Sequence, residues 1–66
     1  MRQSAVRFIK IYKQYVEENG RPPTYQEVGD ILGVTRQATH DTAMYLVRHN
    51  LAKRRYGGTR SLELLI

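Results

Sequence analysis

The stretch from Thr24 to Asn50, TYQEVGDILGVTRQATHDTAMYLVRHN, constrains the fold more than any other part of the chain. Thr24 can cap a helix start, and Glu27 three residues later completes a T-x-x-E capping box. Val28, Ile31 and Leu32 then supply a short apolar stripe at helical spacing. Gly33 follows where that helix must end with φ > 0, a conformation glycine adopts without a Cβ penalty. Val34 is expected as a buried plug behind the turn, and Thr35 as the cap of the next helix. The spacing therefore predicts a short helix, a tight turn and a longer helix.

That order is the helix-turn-helix pattern, in which the connecting turn has three or four residues and often a glycine. LGVTRQATHDTAMYLVRHNLA resembles the core of winged helix-turn-helix DNA-binding domains. With NGRPPTYQEVGDILG in front of it, the chain is similar to the DNA-binding domain of LexA-type repressors. The Pro-Pro-Thr lead-in, the acid three residues after the threonine, the Leu-Gly turn and a C-terminal hairpin run in the same order. The resemblance covers nearly the whole chain and is more specific for the fold than for the DNA sequence read. It implies an α+β winged helix-turn-helix, a three-helix bundle with a C-terminal two-stranded β-hairpin wing, as one domain over residues 1–66. LexA-type repressors continue into a self-cleaving, dimerising domain with a serine–lysine pair. This sequence holds no counterpart, so peptidase activity and dimerisation are not carried over, and a monomer or weak dimer is expected.

Size and composition agree with such a module. A chain of 66 residues buries only about 60% of its unfolded surface, which still suffices for many small domains. There is no cysteine, so neither a disulfide framework nor a thiolate metal site can assist, which fits a reducing cytoplasm. No apolar run approaches the roughly 18 residues of a membrane span, and no signal-peptide pattern is present. A soluble, cytoplasmic protein without membrane contact is expected. Eleven Lys and Arg against six Asp and Glu give a net charge of +5. Lys53, Arg54, Arg55 and Arg60 sit together near the C-terminus, and Arg2, Arg7, Lys10 and Lys13 are spread over the first helix. Glu17, Glu18, Glu27 and Asp30 fall between them. This asymmetry is the footprint expected of a phosphate-binding face.

Ahead of the central stretch, residues from about Gln3 to Glu18 read as an amphipathic helix. Ala5, Phe8, Ile9, Tyr12, Tyr15 and Val16 recur at i, i+3, i+4, i+7 spacing. Ser4 is the expected N-cap and Gly20 the expected stop. Ile11 falls off the main stripe. Arg21-Pro22-Pro23 forces extended backbone and so sets the angle at which the second helix leaves the first. A short β-bridge near Pro23–Thr24 would suit a winged helix.

The second helix, about Tyr25 to Leu32, is a support that buries Val28, Ile31 and Leu32. Gly29 is expected to face inward, where relatives of this type usually carry alanine, and to let the third helix approach closely. The third helix, about Arg36 to His49, has as inward positions Thr39, Thr42 or Ala43, Leu46 and Val47. This face is smaller and more polar than the pattern of relatives. Either the helix sits closer to its neighbours, or Met44 and Tyr45 make up the volume. On that rotation Arg36, Gln37, His40, Asp41 and Met44 point outward near the helix start, where a recognition helix meets base edges. Arg pairs with guanine and Gln with adenine; Asp41 can accept from cytosine N4, or orient Arg36 or Arg48. Thr35, at the helix start, suits a phosphate.

From Leu51 the period changes to strand-like alternation. LAKRRY, Gly57-Gly58 and TRSLELLI read as strand, turn and strand, with Leu62, Leu64 and Ile66 on one face. The basic residues Lys53, Arg54, Arg55 and Arg60 flank this turn, where a wing meets the backbone or minor groove.

The leading function is a sequence-specific double-stranded DNA-binding module in transcriptional regulation, repressor-like. The alternative is a winged-helix protein–protein adaptor that docks on polymerase or another transcription protein. Salt-sensitive binding to duplex DNA separates the two. No enzyme is expected. His40 and His49 are nine residues apart and lie on different helix faces, and no glycine-rich phosphate loop, serine elbow or carboxylate pair is present. No metal and no cofactor are expected either.

Overall fold

A computed structural model describes residues 2–55 and 61–66, with backbone alone at Arg55 and Ser61. The first helix, α1 (Gln3–Asn19), buries Ala5, Phe8 and Tyr12 on one stripe and ends at Gly20 with φ 72°. Its N-cap is Arg2, in extended backbone and without a side-chain cap bond, rather than Ser4, which lies inside the helix. Tyr12 turns its phenol to the far end of the chain and donates a 2.6 Å hydrogen bond to the carbonyl of Leu62. Ile11 packs half-buried at the edge of the core.

The second helix, α2 (Tyr25–Leu32), starts at a complete capping box. Thr24 Oγ1 accepts from the Glu27 amide at 3.1 Å, and Glu27 Oε1 accepts from the Thr24 amide at 2.9 Å. Thr24 also carries an isolated β-bridge. The same carboxylate accepts both nitrogens of the Arg21 fork at 3.0 Å and the phenol of Tyr15. One acid thus ties the end of α1, the proline loop and the start of α2 together. The Arg21 guanidinium, then the Tyr15 phenol and the Thr24 amide, hold the Glu27 carboxyl well below the usual carboxylate range. A depressed folded pKa means that the stabilisation is fully present above that range and is lost as pH falls through and below it. Glu27→Gln is therefore expected to cost about 1–2 kcal/mol near neutral pH, from charge-assisted bonds that are partly exposed. The variant should also flatten the acid side of a stability-versus-pH series measured by urea melts. An acid limb identical to that of the parent chain would show that the carboxylate is not held this way.

The buried stripe of α2 is Tyr25, Val28 and Gly29, with Leu32 half-buried. Ile31, expected inside, is 56% exposed. The spacing explains this: residues 25, 28, 29 and 32 form one i, i+3, i+4, i+7 face, and Ile31 falls beside it. Gly33 closes the helix at φ 73°. Val34, expected as a buried plug, is 45% exposed. The Thr39 hydroxyl and the backbone of Val34 and Thr35 fill the crossing instead. A Cβ built on Gly29 would stand 3.1 Å from the Val34 carbonyl oxygen and 3.0 Å from Thr39 Oγ1. Gly29→Leu is accordingly expected to force the helices apart and cost about 1–3 kcal/mol in a urea melt. An unchanged melt would contradict the close approach.

The third helix, α3 (Arg36–Arg48), buries Thr39, Ala43 and Leu46. Ala43 is thus the inward residue, while Thr42 lies half-buried and donates to the Ala38 carbonyl at 3.1 Å. Buried Thr39 is satisfied within its own helix, donating to the Thr35 carbonyl at 3.1 Å. Both ways of making up the small face occur: α3 approaches α2 over Gly29, and Met44, Tyr45 and Val47 pack half-buried against the core.

After α3 the chain turns at Asn50, φ 60°, into the strands β1 (Ala52–Arg55) and β2 (Ser61–Leu64). They pair antiparallel, Ala52 with Leu64, Lys53 with Glu63, Arg54 with Leu62 and Arg55 with Ser61. Leu62 and Ala52 reach the core; Leu64 is half-buried, whereas Ile66, expected on that face, lies past the strand and is exposed. The Gly57-Gly58 turn and Arg60 lie outside the described residues.

Candidate nucleic-acid interface

Burial of Thr39, Ala43 and Leu46 leaves the opposite face of α3 to solvent. Thr35 caps the helix, accepting from the Ala38 amide at 3.1 Å. Arg36, Gln37 and Asp41 are exposed, with His40 and Met44 half-buried along the same side. Arg36 has no hydrogen-bond or ion-pair partner among the described residues, so its guanidinium is available to an external acceptor. Gln37 Nε2 donates to Asp41 Oδ1 at 3.0 Å, one helical turn along. Among the described residues Asp41 thus meets Gln37, with no bond to Arg36 or Arg48. The His40 ring stands edge-on to Tyr25 at 5.7 Å, which fixes its plane, and its Nδ1 lies 4.0 Å from Asp41. Tyr25, Arg36, Gln37 and His40 line an open concavity at the junction of α2 and α3.

The hairpin divides its basic residues. Opposed residues of an antiparallel pair share a face, so Arg54 lies on the side of Leu62 and Lys53 on the other with Glu63. Arg54 reaches α3 and donates to the Met44 sulfur at 2.8 Å. It thereby stands next to the outward face of the helix. Lys53 lies 3.9 Å from Glu63, an exposed pair that adds little stability but offsets the local charge. The side chains of Arg55 and Arg60 lie outside the described residues. The expected basic cluster is in this respect two-sided, with Arg54 alone shown beside α3.

Three further residues join this face. Tyr25 opens the buried stripe of α2 and backs His40; its place at the head of the 25, 28, 29, 32 face is the signal. Met44, expected as an outward residue or as a filler of core volume, is also the seat for Arg54. Arg2 lies over the Tyr45 ring at 4.5 Å, bringing a cation from the start of α1 to the side of α3. No sequence pattern joins positions so far apart. Among the described residues no group of three His, Asp or Glu side chains converges as a metal site requires, and no helix is long and apolar enough to cross a membrane.

Three helices, the second and third joined through a glycine turn, followed by an antiparallel hairpin against the third, define a winged helix-turn-helix. Comparison with known proteins places LexA repressors beside it. The chain is 26% identical over 65 residues to the LexA repressor of Magnetococcus marinus, which covers 98% of this chain and 28% of that protein. It is 37% identical over 51 residues to the LexA repressor of Oleidesulfovibrio alaskensis, covering 77% of this chain and 25% of the relative. The chain thus spans about a quarter of the length of the curated relatives it matches. No protein-family model matches it.

Proposed function

We propose that this domain binds double-stranded DNA sequence-specifically in transcriptional regulation, as a repressor-type module. In this reading α3 enters the major groove and the basic hairpin lies on the backbone or minor groove. The observation that carries it is the outward face of α3. Arg36 and Gln37 stand exposed in the first turn, where a recognition helix meets base edges, and Arg54 reaches the same helix at Met44, about two turns on. Arg36 would give a fork to guanine O6 and N7. Thr35 and the helix start would take a phosphate, since the first N–H groups of a helix point at bound anions. The net charge of +5 supplies the long-range attraction. Two repressors among the similar proteins agree in kind with this reading.

The test is to retain random duplexes on the immobilised domain at low salt, release them with salt and sequence the retained pool. A defined consensus is the expected result. A pool without sequence preference, or no salt-dependent retention, would overturn it and favour the adaptor reading, in which the same face of α3 docks on a transcription protein.

A further inference from the structure

We infer that Gln37 and Asp41 act as one unit that reads an adenine, with Asp41 as a positioning residue that sets which way the Gln37 carboxamide faces. This rests on the DNA-binding reading above. The two side chains lie one turn apart on the exposed face of α3, and Gln37 Nε2 donates to Asp41 Oδ1 at 3.0 Å. An ionised carboxylate accepts only, so it must face the amide nitrogen and never the amide oxygen. That assigns the carboxamide orientation chemically. One N–H is committed to Asp41, and one N–H and the carbonyl Oε1 remain side by side.

A donor beside an acceptor is the complement of the adenine edge in the major groove, where N7 accepts and N6 donates. Guanine offers two acceptors there, N7 and O6, so the fixed Oε1 would oppose O6. Thymine offers O4 and a methyl group, and cytosine a donor with no neighbouring acceptor. An unanchored glutamine could turn its amide and meet a guanine acceptor with either N–H; the bond to Asp41 removes that freedom. The negative charge of Asp41 itself opposes phosphate approach, so its presence on this face favours selectivity over affinity.

The concavity at the junction of α2 and α3 adjoins the pair. Arg36 and Gln37 line it with His40, whose ring is held edge-on by Tyr25. His40 Nδ1 lies 4.0 Å from the Asp41 carboxylate.

The experiment compares the parent chain with Gln37→Ala, Asp41→Ala and Asp41→Asn, each by selection from the same random duplex library. Affinities for A·T and G·C versions of the affected base pair follow. The parent chain should show an adenine whose preference over guanine is on the order of 10-fold, the ratio that a good bidentate contact supports. Gln37→Ala should lose that preference. Asp41→Ala should lose it at the same base pair, with equal or tighter binding to scrambled duplex, because a negative charge has gone. Asp41→Asn, whose amide can donate to Gln37 as well as accept from it, no longer fixes the carboxamide and should lose most of the preference. Loss in Asp41→Ala at a different base pair, or a preference that Asp41→Asn keeps in full, would overturn the positioning role. An unchanged preference in Asp41→Ala would overturn it too. A parent chain that selects no sequence at all would instead remove the DNA-binding reading, and this inference with it. Circular dichroism melts of all four chains exclude unfolding as the cause of a lost preference.

Discussion

Leu46→Ala is expected to leave the domain largely unfolded at growth temperature. Leu46 is fully buried at the centre of α3, against a core that holds a single Phe and no Trp. Removing its isobutyl group leaves a cavity that typically costs about 2–5 kcal/mol, because the surroundings relax only partly. Total stability at this length should be about 3–10 kcal/mol. One substitution thus consumes a large share, and little in the neighbourhood can collapse to fill the space: Thr39 and Ala43 are small, and Leu62 is pinned beside the Tyr12 hydrogen bond. A thermal melt within a few degrees of the parent chain would show that α3 is rotated differently. The functional face would then have to be redrawn, since the exposure of Arg36 and Gln37 follows from the burial of Leu46.

Salt is expected to have the largest effect on binding. Taking about four neutralised phosphates, log K should fall with log salt at a slope near −3.6, so raising salt from about 50 to 200 mM should weaken binding on the order of 100-fold. The hairpin divides this effect unequally. Arg54→Ala should lower the slope by about one unit and weaken all duplexes alike. Lys53→Ala should do less, because Lys53 lies on the other face and is offset by Glu63. Arg36→Ala should instead lose about 1–3 kcal/mol of discrimination at a particular base pair. Titrations of each variant against selected and scrambled duplex separate these outcomes. Equal slopes for Lys53→Ala and Arg54→Ala would contradict the two-sided hairpin.

Much of this was legible from residues whose partners lie close in sequence. Thr24 and Glu27, Gly33, Thr35 and Gly20 act through bonds within a few positions, and each was assigned correctly. The inward positions Thr39 and Leu46 followed from helical period. Residues whose fate depends on how elements cross were harder. The turn pattern points Val34 inside, but the crossing at Gly29 is filled by the Thr39 hydroxyl and by backbone, which no apolar pattern reveals. The helical spacing of Val28, Ile31 and Leu32 points Ile31 inward, yet the stripe that packs begins at Tyr25. Ser4 has the right chemistry for a cap, but the cap is Arg2, two residues earlier. Among the candidate interface residues, the i, i+4 spacing of Gln37 and Asp41 was present all along. Opposite charge made arginine look the more natural partner for the acid. The seat of Arg54 on Met44 and that of Arg2 on Tyr45 are tertiary contacts, and only the folded chain displays them.

The most direct measurement of the central claim is the affinity of the parent chain for its selected duplex against a scrambled one. Both are titrated by fluorescence anisotropy at several salt concentrations, and both are repeated with the Arg36→Ala, Gln37→Ala double variant. Sequence-specific binding through α3 predicts tighter binding to the selected duplex, a salt dependence for both, and a ratio between them that collapses in the double variant while the salt slope stays within about one unit. A ratio near one for the parent chain, or a ratio that the double variant leaves unchanged, would contradict it.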